Sequence, residues 1–193
     1  MDKPQRKLGI RVPPRRTANI FSEAQGLRDE LKLKGKVDIG RLLMAFQDAG
    51  MLEFSIVKAD ESIFDDEETF LGDEEARAYP DSDFIAIRED VYDKACGGCG
   101  HSRFTIAHEL GHIVMHKGVV ASFARGGEHQ IFEDSEWQAD VFASEFLADS
   151  RLIDLDIDTP ATVSERFGVT EEAAIVKLSK LRSIKEKREA EEQ

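Results

Sequence analysis

Apolar side chains recur at helical spacing from Ala18 to Leu33, and Gly35 ends the run. Asp38 is placed to cap a second helix, IGRLLMAFQDAG, which Gly50 terminates. LEFSIVKA (52–59) alternates as a strand does, and EARAYP and DFIAIRE predict two more strands flanking a Pro80–Asp81 turn. ACGGCGH (95–101) reads as a glycine-rich loop, after which Ser102 is a natural N-cap for RFTIAHELGHIVMHK, with Gly118 as its stop. Asp134 is placed to cap SEWQADVFASEFLA. Thr159–Pro160 opens a short helix ending near Phe167–Gly168, and Thr170 starts the last one, EEAAIVKLSKLRSIKEKREA, whose charged tail is expected to fray. Helices, a few strands and then helices again indicate an α+β fold with a small antiparallel sheet, not alternating βαβ units.

Charge subdivides this outline. Residues 1–16 hold three prolines and six basic side chains against one acidic, which predicts a flexible basic arm. A main domain over 17–158 follows, then a helix-turn-helix-like segment over 159–183 packed on it, and a charged tail over 184–193. Residues 59–75 carry nine acids and no Lys or Arg; the run reads as a solvated loop or, more sharply, as a surface that steers a basic partner.

The formal charge of −13 opposes binding to a phosphate backbone, so direct DNA binding is not expected. The helix-turn-helix rhythm points the same way: Lys177, Lys180 and Arg182 come late, after Glu171 and Glu172 at the end that would meet bases, which suits a packing or substrate-docking role. No stretch of about 18 apolar residues exists to span a bilayer. The N-terminus lacks an apolar segment behind its basic residues, and Cys96 and Cys99 are too few for a disulfide framework, so a cytoplasmic location is expected.

The chemistry lies in His108-Glu109-Leu110-Gly111-His112, an H-E-x-x-H sequence that composition alone would produce roughly 0.01 times. Residues four apart share one helix face, so both imidazoles reach one zinc ion, while Glu109 stands beside that face, placed to take a proton from water. The flanks FTIA and IVM are apolar, and buried histidines need a polar partner. A third protein ligand is required. His116 lies about 12 Å along the axis from His108 and is too far to share the ion, which leaves it a supporting or helix-end role. Glu136 is the better candidate, with Asp140 four residues on holding the outer nitrogen of a ligand histidine; Glu133 is the reserve. Tyr79, Arg103 and His129 are candidates for stabilising an oxyanion. Cys96-Gly-Gly-Cys99 is short of ligands for a closed zinc site, and reads either as a redox or regulatory pair or as incidental thiols in a loop.

R-F-T-I-A-H-E-L-G-H-I-V-M-H (103–116), followed by E-x-x-A-D-x-F-A-x-x-F-L-A (136–148), resembles the ImmA/IrrE family of metallopeptidases. The match is specific over about 50 residues and looser from VDIGRLLMAF to FGVTEEAAIVKLSKL. Gln138 stands where a second glutamate is common, Asp140 replaces asparagine, and FLAD replaces the usual LLMP. The resemblance implies a zincin-like fold, Zn2+ on His108, His112 and Glu136, Glu109 as catalytic base, and cleavage of a helix-turn-helix transcriptional repressor or an antitoxin partner. Two rival functions remain: a zinc-stabilised regulator or toxin–antitoxin component that binds without cutting, and a DNA-binding transcription factor.

Overall fold

Residues 9–64, 67–119 and 129–191 are described by a computed structural model. Two helices open it, α1 (Thr17–Glu30) and α2 (Ile39–Asp48). The Asp38 carboxylate accepts from Arg41 N at 3.1 Å, and Ile39, Leu42, Leu43 and Phe46 turn one face of α2 into the core. β1 (Glu53–Val57), β4 (Ala76–Tyr79) and β5 (Phe84–Arg88) form a sheet in the order β1-β5-β4. That sheet is mixed, not wholly antiparallel as expected: β4 runs antiparallel to β5, but β1 pairs with β5 in parallel. The long connection between Val57 and Phe84 carries β4 and gives the chain room to return in the same direction.

The same connection corrects the reading of the acidic run. It is not simply a loop, because β2 (Ser62–Phe64) and β3 (Glu67–Phe70) pair as an antiparallel ribbon. Ile63 packs on the cluster of Val57, Leu71 and Ala86, and the Phe64 ring meets Tyr79 edge-on at 5.2 Å. Apolar side chains scattered among the acids thus suffice to pin the ribbon to the sheet.

α3 (Glu89–Cys96) is an unanticipated helix, with Val91 and Ala95 buried four residues apart. The expected glycine loop therefore shrinks to a three-residue link, and Cys99, not Ser102, is the N-cap of α4 (Gly100–His116). A Cβ on Gly100 would lie 2.7 Å from Thr170 N, so only glycine lets α4 begin against the C-terminal segment. α4 crosses α5 (Ser135–Leu147) at Gly111, where a Cβ would come within 3.1 Å of the Phe142 ring and 3.3 Å of Ala139 Cα. This close approach brings the motif histidines beside the first turns of α5.

α6 (Pro160–Phe167) and α7 (Glu171–Glu191) supply the helix-turn-helix outline, with Thr159 capping α6 and Gly168 turning at φ +63. α7 continues through residues 184–191, so this part of the charged tail is helical. Buried polar groups tie this segment to α4 and α5. The Arg103 guanidinium, 1% exposed, donates to the carbonyls of Phe167 (3.1 Å), Gly168 and Val37 (2.7 Å), and Lys177 pairs with buried Glu145.

The flexible-arm expectation fails from Gly9 onward. Val12 is 1% exposed, its N–H donates to Glu133 O at 2.8 Å, and Arg15 N donates to Phe132 O at 3.0 Å. Residues 1–8 of that arm, 65–66 of the acidic run and 192–193 of the tail lie outside the described residues. No helix among the described residues is long and apolar enough to cross a membrane.

Candidate metal centre

One turn of α4 separates His108 from His112, and their Nε2 atoms stand 3.1 Å apart. Glu136, in the first turn of α5, places Oε2 3.2 Å from His108 Nε2 and Oε1 3.5 Å from His112 Nε2. Tetrahedral zinc with bonds of about 2.0–2.1 Å separates neighbouring ligand atoms by about 3.3 Å, so the spacing suits that ion.

Hydrogen-bond direction sharpens the fit. Gln138 Nε2 donates to the carbonyls of Pro13 and Phe132, each at 2.9 Å, which turns Oε1 toward His116 Nε2 at 3.2 Å. An amide oxygen only accepts, so His116 carries its hydrogen on Nε2 and its Nδ1 accepts from His112 Nδ1 at 2.9 Å. His112 Nε2 is then a lone pair aimed into the site. His108 Nδ1 likewise donates to Asp140 Oδ1 at 3.0 Å, so in the neutral ring, the form a metal ligand takes, His108 Nε2 is the second lone pair. Two lone pairs and a carboxylate converging on one point call for a cation.

Electrostatics express the same demand. Burial opposes charge on His108, but hydrogen bonds to Asp140 and Glu136 overcome it and raise its pKa to about 10. Burial, with the neighbouring His108 and His116, lowers His112 to about 3, and the bond to His108 lowers Glu136 to about 2. One positive charge is stabilised between the rings, and a second is refused.

Glu109 stands beside this cluster. Its Oε2 accepts from Ala78 N at 2.7 Å, and burial pushes its pKa up to about 7. All four side chains line a cavity of about 870 Å³, whose wall also includes residues 76–78 of β4 and Gly9 and Ile10. Among the described residues β4 pairs only with β5, and its second edge, from which Ala78 N donates to Glu109, faces this cavity.

Other candidates fall elsewhere. The Glu133 carboxylate pairs with Arg11 at 2.6 Å, His129 with Asp134 at 3.0 Å, and Arg103 is buried against α6. Tyr79 packs on Phe64 and Phe84 and is absent from the cavity wall. Arg77 does line it, as the one Lys or Arg there among the described residues, its Nε 2.7 Å from Glu74. No alternation singles Arg77 out, because Ala76, Arg77 and Ala78 all line the cavity along the edge of β4.

Cys96, the last residue of α3, and Cys99, on the link to α4, are free, exposed thiols that do not line the cavity. Hydrogen bonds from the Ser102 backbone and hydroxyl lower the Cys99 pKa below the ordinary cysteine value. Iodoacetamide near neutral pH is therefore expected to label Cys99 ahead of Cys96, with the order read by peptide mass mapping.

Fold and site together define a zincin-like α+β protein. Residues 98–179 match the family model of the IrrE N-terminal-like domain, Peptidase_M78, so the resemblance to ImmA/IrrE metallopeptidases is upheld across the segment that carries α4, α5 and α6. No curated protein matches the chain. Among solved structures, a Mycobacterium tuberculosis transcriptional regulator is similar over 83% of this chain, with a TM-score of 0.53 and 19% identity. The chain spans 55% of that regulator's length, and at this identity the likeness speaks for the fold alone.

Proposed function

We propose that the chain is a zinc-dependent endopeptidase that cuts a regulatory protein, a helix-turn-helix repressor or an antitoxin. The observation carrying this reading is the convergence of two imidazole lone pairs and a carboxylate beside a raised-pKa carboxyl group, in a cleft walled by a strand edge. His108, His112 and Glu136 would hold the ion. A zinc ion there supplies Lewis acidity toward a carbonyl and makes water a nucleophile near neutral pH. Glu109 takes the proton of the attacking water on a carboxylate oxygen and delivers it to the leaving amine. An extended substrate backbone is aligned along the cleft-facing edge of β4, as in strand addition to a sheet.

The acidic character of the approach supports a basic, DNA-binding substrate. Glu74 and Glu75 close the acidic run and line the cavity. The test uses the purified full chain and small helix-turn-helix regulators as candidate substrates. Cleavage into two fragments is expected, abolished by a chelator and restored by Zn2+. Cleavage that survives complete removal of metal would refute the reading.

A further inference from the structure

The segment Gly9–Pro13 lines the metal-centre cavity through Gly9 and Ile10 and reaches the ligand residues by two separate routes. The first reaches Glu136. Ile10 N donates to Ser135 Oγ at 3.1 Å, Ser135 N donates back to Ile10 O at 3.1 Å, and Ser135 Oγ lies 3.4 Å from Glu136 Oε1. Gly9 N donates to Asp134 Oδ2 at 2.7 Å, the other oxygen of the carboxylate that caps α5 through Trp137 N. Gly9 also packs so closely on α5 that a Cβ there would lie 2.6 Å from Glu136 Cγ and 2.9 Å from Glu136 N. Gly9 has no positive φ to explain its identity, so the close approach does.

The second route reaches His112. Pro13 O accepts one of the two hydrogens by which the Gln138 amide is held, and Gln138 in turn dictates the tautomers of His116 and His112. With glutamate at position 138 there would be no donor for Pro13 O, so this relay belongs to the glutamine.

We infer that the segment Gly9–Pro13 is a positioning element of the metal centre, holding the Glu136 carboxylate through Gly9 and Ser135 and the His112 ring through Pro13, Gln138 and His116. The inference rests on the reading of His108, His112 and Glu136 as metal ligands. Its consequence is that zinc affinity depends on a stretch of chain more than 100 residues away in sequence from Glu136. Outer partners of metal ligands typically contribute 10–100-fold in affinity, and each route is assigned an effect of that order.

Three variants of the full chain decide the matter: Gly9→Ala, Gln138→Met, and Gly26→Ala, whose added Cβ meets nothing within 4 Å. Zinc dissociation constants are measured by competition with a chromophoric chelator. Imidazole nitrogen NMR reports the His112 and His116 tautomers, and thermal melting of the metal-free proteins controls for folding. Gly9→Ala and Gln138→Met are expected to weaken zinc binding by about 10-fold or more. Gln138→Met alone should also lose the single-tautomer pattern of His116, and Gly26→Ala should match the unaltered protein. Zinc affinities of the first two variants within threefold of the unaltered protein would overturn the inference while leaving the ligand assignment intact. Failure of the unaltered protein to bind zinc would overturn both. Zinc binding that weakens as stated without any peptide cleavage would uphold the positioning role and refute only the peptidase reading.

Discussion

Replacing Glu109 by glutamine is expected to lower kcat/KM for cleavage by about 10²–10⁴-fold while zinc content stays unchanged. Glutamine keeps an oxygen that can accept from Ala78 N, so the strand-to-helix contact at 2.7 Å survives. What disappears is the group that takes a proton: the carboxyl carries a pKa of about 7 because it is buried, and an amide has none. The ligand atoms belong to His108, His112 and Glu136, so metal binding should not follow activity down. Parallel measurement of fragment formation, bound zinc and partner affinity separates the two readings of function. A peptidase loses cleavage and keeps its partner. A regulator that works by binding shows no cleavage even before the substitution. Undiminished cleavage by Glu109→Gln would remove Glu109 from the mechanism.

The largest stability effect is expected at Glu145, which is fully buried in α5 and far from any chemistry proposed for the protein. Its carboxylate accepts from Gln25 Nε2 at 2.6 Å, from Ser150 Oγ at 2.7 Å and from Ser150 N at 3.0 Å, and it pairs with Lys177 on α7. Glu145→Ala leaves the Lys177 ammonium, itself 4% exposed, without its counter-charge inside the protein. Stranding one member of a buried pair costs about 3–5 kcal/mol. Lys177→Met should cost less, because three hydrogen-bond donors remain on the carboxylate. Glu145→Leu combined with Lys177→Met should recover most of the loss, since apolar groups of similar volume often replace a buried pair without penalty. Urea midpoints check the series. An Ala variant as stable as the unaltered chain would show that α7 is not held by this pair.

These expectations draw unequally on what was readable in the chain. The H-E-x-x-H spacing puts two imidazoles on one face, and Glu136 and Asp140, four apart in the next helix, offer a third ligand and a partner for a ligand histidine. Gln138 reads in the sequence as a departure from a family pattern, but nothing there shows that it orients His116 and His112. That role depends on carbonyls of Pro13 and Phe132. Arg103, a candidate in the sequence for stabilising an oxyanion, is instead a structural tie. Its neighbours, the carbonyls of Val37, Phe167 and Gly168, come from distant parts of the chain.

Local physics alone therefore specified the helix starts at Asp38, Asp134 and Thr159, each of which caps through hydrogen bonds to backbone a few residues on, and the spacing of the motif helix. Only packing in three dimensions decided that β1 would lie parallel to β5, that acids at 59–75 would carry a ribbon, and that Cys99 rather than Ser102 would cap α4. It also decided that Gly9 would press against Glu136. Those outcomes turn on contacts between residues far apart in the chain, and neither periodicity nor capping preference encodes which distant surface a segment will meet.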